Sequence, residues 1–462
     1  MGGIDDTAVE KLATEFAGEL LRQGDAGYDE AREVYNAMFS DRWPALIARC
    51  RSTADVVAAV KFGRSTGVEV AVRAGGHSIA GFSTIDDGLL IDLSPMKHID
   101  VDADGRIARA QPGVLLGELD AETLRHGLAT PLGFVSVTGI AGLTLNGGIG
   151  FLTRKHGLSC DNLLAAEVVL ADGSVVTASD DENADLMWGL RGGGGNFGIV
   201  TRFEYRLHEV SDVYIRMSFY EPAALRDILR VLATDGPGLS EDVVAYAGSM
   251  TIPEIDMFPP EVHGKTVAML LMAYLGGEEG GPEALAALPT PPSPLVDMAM
   301  PMPFQMAQTM QDEDLPSGRR NYWKSANFTE LTDEAIDVIA DGAFTATSPH
   351  TTVGIMPLGG AVSRVGETDT AYCGRGARFN LMLDNIWEDP AEDAAQIAWS
   401  RAFFDALTPF FSEGAYLNFT VEEDAGAVAR AYGPNYSRLV DLKNTYDPSN
   451  FFRRNQNITP AG

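Results

Sequence analysis

The chain reads as an α+β protein of two domains, and three observations carry that reading. Its 462 residues exceed what a single hydrophobic core ordinarily serves. Over residues 44–110, short apolar β-branched runs alternate with a helical segment and glycine-rich turns, the pattern of strands and crossovers. From about residue 211 longer strands alternate with amphipathic helices, as expected of a large antiparallel sheet with helices laid on it.

In chain order, residues 8–23 place Val9, Leu12, Ala13, Phe16 and Leu20 at helical spacing and predict an amphipathic helix. A short apolar run follows Pro44. Residues 53–66 predict a helix capped by Ser52 or Thr53 and closed at Gly67. The strand 68–72 then runs into R-A-G-G-H-S-I-A-G-F-S, residues 73–83. Adjacent glycines let the backbone turn with its N–H groups outward, a nest that suits a pyrophosphate, with His77 at its rim. Arg73, Gly75, Gly76, Ser78 and Gly81 belong to this candidate cradle.

Strands are expected at 89–93 and 106–110, followed by a helix over the G-V-L-L-G-E-L-D segment. The second glycine-rich stretch, residues 137–150, reads V-T-G-I-A-G-L-T-L-N-G-G-I-G and contributes Thr138, Gly139, Gly142, Gly147, Gly148 and Gly150. Two such loops in close succession point to an extended ligand with more than one phosphate or polar edge. Next stands G-L-S-C-D-N-L, with Cys160 and Asn162, before a strand over 166–170. The segment 187–201, M-W-G-L-R-G-G-G-G-N-F-G-I-V-T, is a third cluster and adds Gly198 and Val200.

Beyond it, strands are expected at 213–220, 266–275 and 322–328, helices at 222–233 and 333–341, and a proline-rich loop at 288–303. The end carries G-A-Y-L-N-F, read as a strand over 414–419. A helix to the Tyr446 region and a polar run with Asn455 and Asn457 close the chain.

The formal net charge of -31, with no Lys/Arg-rich stripe, excludes a nucleic-acid backbone as a partner. It fits either a salt-rich cytoplasm or simply an acidic surface. Cys50, Cys160 and Cys373 are too few and too far apart for a disulfide framework or a Cys-x-x-Cys metal site, so no metal is expected and a reducing compartment is. The opening M-G-G-I-D-D has neither a basic nor an apolar leader region, and no window approaches a membrane span; a cytoplasmic protein without membrane contact is expected.

Taken together, R-A-G-G-H-S, G-L-T-L-N-G-G-I-G, G-L-S-C-D-N-L, R-G-G-G-G-N-F-G-I-V-T and Y-D-P-S-N-F-F-R-R-N-Q-N-I resemble the berberine-bridge-enzyme-like flavoprotein oxidases of the vanillyl-alcohol-oxidase superfamily, from about residue 42 to 458. The resemblance implies a two-subdomain PCMH-type FAD-binding domain built from residues 1–210 and 411–462, with a substrate-binding domain, 211–410, inserted between. It also implies FAD attached twice, through His77 to the flavin 8α-methyl carbon and through Cys160 to C6.

The implied reaction is hydride transfer from a small-molecule C–H to the flavin, with O2 as the final acceptor and hydrogen peroxide as product. The substrate would be a sugar-like or secondary-metabolite alcohol. Relatives that oxidise alcohols carry a Tyr or Glu base where this chain has Phe419, so the expected base passes to Tyr416 or Tyr372, with Asn418 beside it on the same strand face. The alternatives are an amine substrate needing no base, or a non-catalytic FAD-containing binding protein. Oligomeric state stays open.

Overall fold

In the computed structural model, which describes residues 4–421 and 425–461, a four-stranded sheet opens the chain. Its order is Glu19–Leu21, Leu46–Arg49, Leu89–Asp92, Val70–Arg73. The last three strands run parallel and the first is antiparallel to its neighbour. The helix expected over 53–66 is present: the Ser52 side chain accepts from the Asp55 N–H, and Gly67 closes it at φ 68°. The helix expected over 8–23 stops early, at Asp6–Glu15, and Glu19–Leu21 pairs with Leu46–Arg49 instead. Two contacts turn the chain. Asp55 Oδ1 takes the Ala17 N–H, and a Cβ on Gly18 would lie 2.0 Å from the Arg49 carbonyl oxygen, so only glycine passes there.

A five-stranded antiparallel sheet follows, in the order Ile99–Asp102, Ile107–Ala110, Ile199–Arg206, Leu163–Val169, Val175–Ser179. After a two-strand pair of His208–Glu209 with Leu128–Ala129, the largest sheet falls inside residues 213–387. Its seven strands run Val296–Met302, Val213–Tyr220, Thr266–Tyr274, Val243–Thr251, Thr352–Pro357, Phe379–Trp387, Arg320–Phe328, all neighbours antiparallel. The proline-rich segment read as loop thus supplies an edge strand. Pro301 is tolerated because one side of an edge strand needs no ladder donor.

Strand alternation decides what this sheet does. Leu381 and Leu383 share an apolar cluster with the helices Leu225–Asp235, Asp333–Gly342 and Asp393–Leu407, so the helices cover one face. Met382 and Asp384, one residue out of phase, line a cavity on the other face.

The end of the chain returns to the first half. Lys443, on the helix Tyr436–Tyr446, is buried against Asp447 at 2.7 Å and donates to the Asn196 and Phe452 carbonyls. Asn196 in turn donates to the Gln456 carbonyl and accepts the Ile458 N–H. The strand expected over 414–419 is instead irregular chain ending in a short 3-10 turn, Leu417–Phe419. No helix among the described residues is long and apolar enough to cross a membrane.

Candidate active site

A cavity of about 870 Å³ lies between the glycine-rich loops and the uncovered face of the seven-stranded sheet. The first loop enters from the strand Val70–Arg73 and places Gly75, Gly76, His77 and Ser78 in the wall. The second places Thr138, Gly139 and Gly142 there, and the third Gly195, Gly198 and Val200. Gly75 and Gly139 hold the first two together. A Cβ on either would come within 2.5–2.7 Å of the other's backbone, so the loops meet main chain to main chain. The C-terminal tail adds Phe452, Arg454, Asn455 and Gln456.

His77 is the titratable group of this half of the wall. Its ring stacks on Tyr35 with centroids 3.7 Å apart, Trp323 stands 6.4 Å away, and Nε2 is buried without a partner. Burial pulls its pKa down to about 4, so the imidazole is neutral near pH 7 and its free nitrogen is a nucleophile.

Several expected cofactor residues stand outside the lining. Arg73 lies beneath the loop, where its guanidinium pairs with buried Asp92 at 2.7 Å and donates to the Glu33 carbonyl. Gly81, Gly147, Gly148 and Gly150 are packing positions: added Cβ atoms would strike the Phe39 ring, the Tyr372 ring, Ser159 and the Leu132 carbonyl, respectively. Asn162 donates to the His156 and Leu158 carbonyls and its Oδ1 meets His208 Nε2 at 2.7 Å, so it ties its own loop. Asn457 lies outside as well, whereas Asn455 lines the cavity and leaves its buried Oδ1 unpartnered.

Cys160 is the larger correction. It is fully buried in an apolar cluster with Tyr372 and Tyr416 and does not line the cavity. Burial and neighbouring Asp161 push its thiol well above the usual range, against thiolate formation, and Arg375 is already held by Asp161 at 2.6–2.7 Å. A second flavin bond from this sulfur does not fit the geometry.

Tyr416 and Tyr372 fail as bases for the same reason. Tyr416 is 0% exposed, and its oxygen accepts the Ile149 N–H at 3.0 Å and an Asn418 N–H at 3.1 Å, which fixes the second glycine loop. Burial pushes its pKa up to about 12 and raises that of Tyr372 further, and neither lines the cavity. Asn418 does line it. Because the segment is a turn, Asn418 and Phe419 both reach Tyr416; the two rings meet edge-on at 4.7 Å.

The acid that sequence reasoning missed is Asp384. It opposes Thr352 on one neighbouring strand and Trp323 on the other. Thr352 stands across the strand pair from its carboxyl, and Oδ1 is buried with no partner. Burial raises its pKa to about 7, the range in which a carboxyl exchanges a proton at neutral pH. Tyr246 lines the same wall. The available signal was one carboxylate inside the apolar strand F-N-L-M-L-D-N-I-W, in phase with Met382. The remaining wall is apolar: ten of the sixteen methionines line the cavity, among them Met217, Met269, Met300, Met356 and Met382.

These residues fit an FAD. His77 with its neutral orphan nitrogen, the bare loop backbone at Gly142 and Gly195, where added Cβ atoms meet nothing within 4 Å, and Asn455 with its free oxygen all line one cavity. Among the described residues no group of three His, Cys, Asp or Glu could hold a metal ion.

Known proteins agree with that fit. A family model described as FAD binding domain matches residues 44–179, and one described as Berberine and berberine like matches residues 415–459. An FAD-linked oxidoreductase of Dictyostelium discoideum is 31% identical over 466 residues, covering 98% of this chain and 97% of the relative. The (R)-6-hydroxynicotine oxidase of Paenarthrobacter nicotinovorans is 31% identical over 477 residues, covering 98% of this chain and 99% of the relative. The crystal structure of 6-hydroxy-D-nicotine oxidase from Arthrobacter nicotinovorans superposes with a TM-score of 0.85 at 30% identity, covering 96% of this chain and 98% of that one.

Proposed function

Since the chain belongs to the berberine-bridge-enzyme-like family of FAD-dependent oxidoreductases, we propose that it is an oxidase that takes hydride from a C–H of a small molecule and uses Asp384 as the base. One observation carries the reading: two buried, unpartnered atoms, His77 Nε2 and Asp384 Oδ1, belong to residues lining the same cavity. When bound, FAD supplies the acceptor for the hydride, and O2 reoxidises it with release of hydrogen peroxide.

The chain's own residues do the rest. His77 Nε2 would tether the cofactor through a single covalent bond, and Tyr35 holds the imidazole ring in place. The glycine loops and tail bind the cofactor, so residues 1–210 and 411–462 act as the FAD domain and 211–410 as the substrate domain. Asp384 takes the proton that the departing hydride's heteroatom neighbour must lose, with Thr352 beside it on the next strand. Asn418 offers a polar edge on the opposite wall, and the methionine and phenylalanine side chains exclude water. With an acid at Asp384, the argument for a non-catalytic carrier, which rested on Phe419, loses its basis.

The test is peroxide release from the purified yellow protein on a panel of alcohols, sugars and amines. Release with at least one class supports the reading. A protein that retains flavin but is reduced by none of them contradicts it.

A further inference from the structure

We infer that the substrate is an apolar amine bound as its cation, with the ammonium group at Asp384 and the apolar body along the methionine wall; the inference rests on the oxidase reading above. Three independent features of the cavity point there.

The first is charge. Asp384, Glu313 and Asp314 line the cavity, while among the described residues Arg454 is its only lysine or arginine. Arg454 stands on the C-terminal tail and donates to the Thr84 carbonyl, beside the first glycine loop and away from the sheet. Three carboxyls thus outweigh the one arginine set against them, Arg319 behind Asp314, so the substrate wall disfavours a carboxylate and attracts a cation.

The second is the unpaired carboxyl oxygen. Asp384 Oδ1 is buried with no donor, and a buried acceptor left bare is costly unless the bound state supplies its partner. Around it stand aromatic rings, Trp323 and Tyr246 in the wall and Tyr35 behind His77, whose faces favour a cation. A neutral alcohol would satisfy the oxygen with one hydrogen bond. An ammonium group does so with charge as well, and this is roughly twice as strong.

The third is the wall's chemistry. Methionines and phenylalanines cover the sheet face, and at the mouth Met257 and Met306 are 56% and 57% exposed. A sugar needs a hydrogen-bond partner for each hydroxyl it brings out of water, and this surface offers few. Flexible thioethers instead fit an apolar body of variable shape.

The experiment compares phenethylamine, phenethyl alcohol and phenylacetate, matched in shape, on the holoprotein. Binding is read from the perturbation of the flavin absorption band under anaerobic conditions and from the rise in Tm. Phenethylamine is expected to bind at least about tenfold more tightly than the alcohol, the difference one charge-assisted bond makes, and phenylacetate not to bind. In Asp384→Asn the amine is expected to lose that advantage while Tm without ligand stays within a few degrees of the parent. Equal binding of amine and alcohol, binding of phenylacetate, or an amine preference that survives in Asp384→Asn overturns the inference. The wild-type comparison stands even if the variant folds poorly. The two readings fail differently: a colourless protein whose Tm still rises selectively with the amine would refute the flavin reading and keep this one.

Discussion

The Tyr35 ring lies 3.7 Å above the His77 imidazole at an interplanar angle of 20°. The Tyr35 hydroxyl in turn donates to the Leu315 carbonyl, so a residue near the start of the chain clamps the first glycine loop against a loop at the cavity mouth. The stack fixes the imidazole plane while leaving Nε2 free. Tyr35→Ala is therefore expected to lower the fraction of protein carrying covalent flavin several-fold, with total bound FAD changed less. Flavin absorbance of the pellet and supernatant after acid precipitation measures both.

Asp384 and Tyr416 make opposite predictions. Asp384→Asn removes the proton acceptor and is expected to slow anaerobic flavin reduction by about a hundredfold or more, with flavin attachment unchanged. Tyr416→Phe removes an acceptor from the Ile149 and Asn418 N–H groups, so it is expected to cost about 1–3 kcal/mol of stability and leave reduction within a few-fold of the parent. Stopped-flow reduction and thermal denaturation of the two variants separate the roles.

How far each residue was legible depended on what its neighbours supply. The glycine loops and His77 could be read because a turn that exposes its backbone needs glycine at adjacent positions, a purely local demand. Cys160 sits in a polar sequence, S-C-D-N, yet is buried, because Asp161 turns away to Arg375, a partner 214 positions along the chain. Asp384 was invisible for the converse reason. One acid in an apolar strand reads as an interruption until the sheet shows that its phase faces a cavity and not the helices. The turn at Leu417–Phe419 likewise reverses the alternation on which the Tyr416 assignment rested.

Asp120 supplies a pH signature distinct from the chemistry. It is buried on the helix Leu116–Thr123, where Gln308 donates to Oδ2 at 3.1 Å, while Asp120 Oδ1 and Gln308 Oε1 are unpartnered. A protonated carboxyl can complete the pair. Burial raises its pKa from 3.8 to about 7, so the folded state holds a proton that the unfolded state has released. This contribution to stability is full below 3.8 and is lost as pH rises through about 7. Asp120→Asn mimics the protonated form, and its Tm advantage over the parent is expected to be larger at about pH 8 than at about pH 5. The other ionisable groups are common to both proteins and cancel in the difference.

The C-terminal tail is expected to be indispensable for the cofactor. Truncation after Ser449 removes Phe452, Arg454, Asn455 and Gln456 from the cavity wall and strips the buried Lys443 of its Phe452 carbonyl. The truncated chain should retain less than about a tenth of the parent's flavin absorbance per protein, since a buried cation short of a partner destabilises the helix that docks the tail.

The most direct test is mass spectrometry of the proteolysed holoprotein. The account predicts an FAD mass increment on the peptide that contains His77 and none on the peptide that contains Cys160. An increment on the Cys160 peptide, or unmodified His77 in a yellow protein, would contradict it.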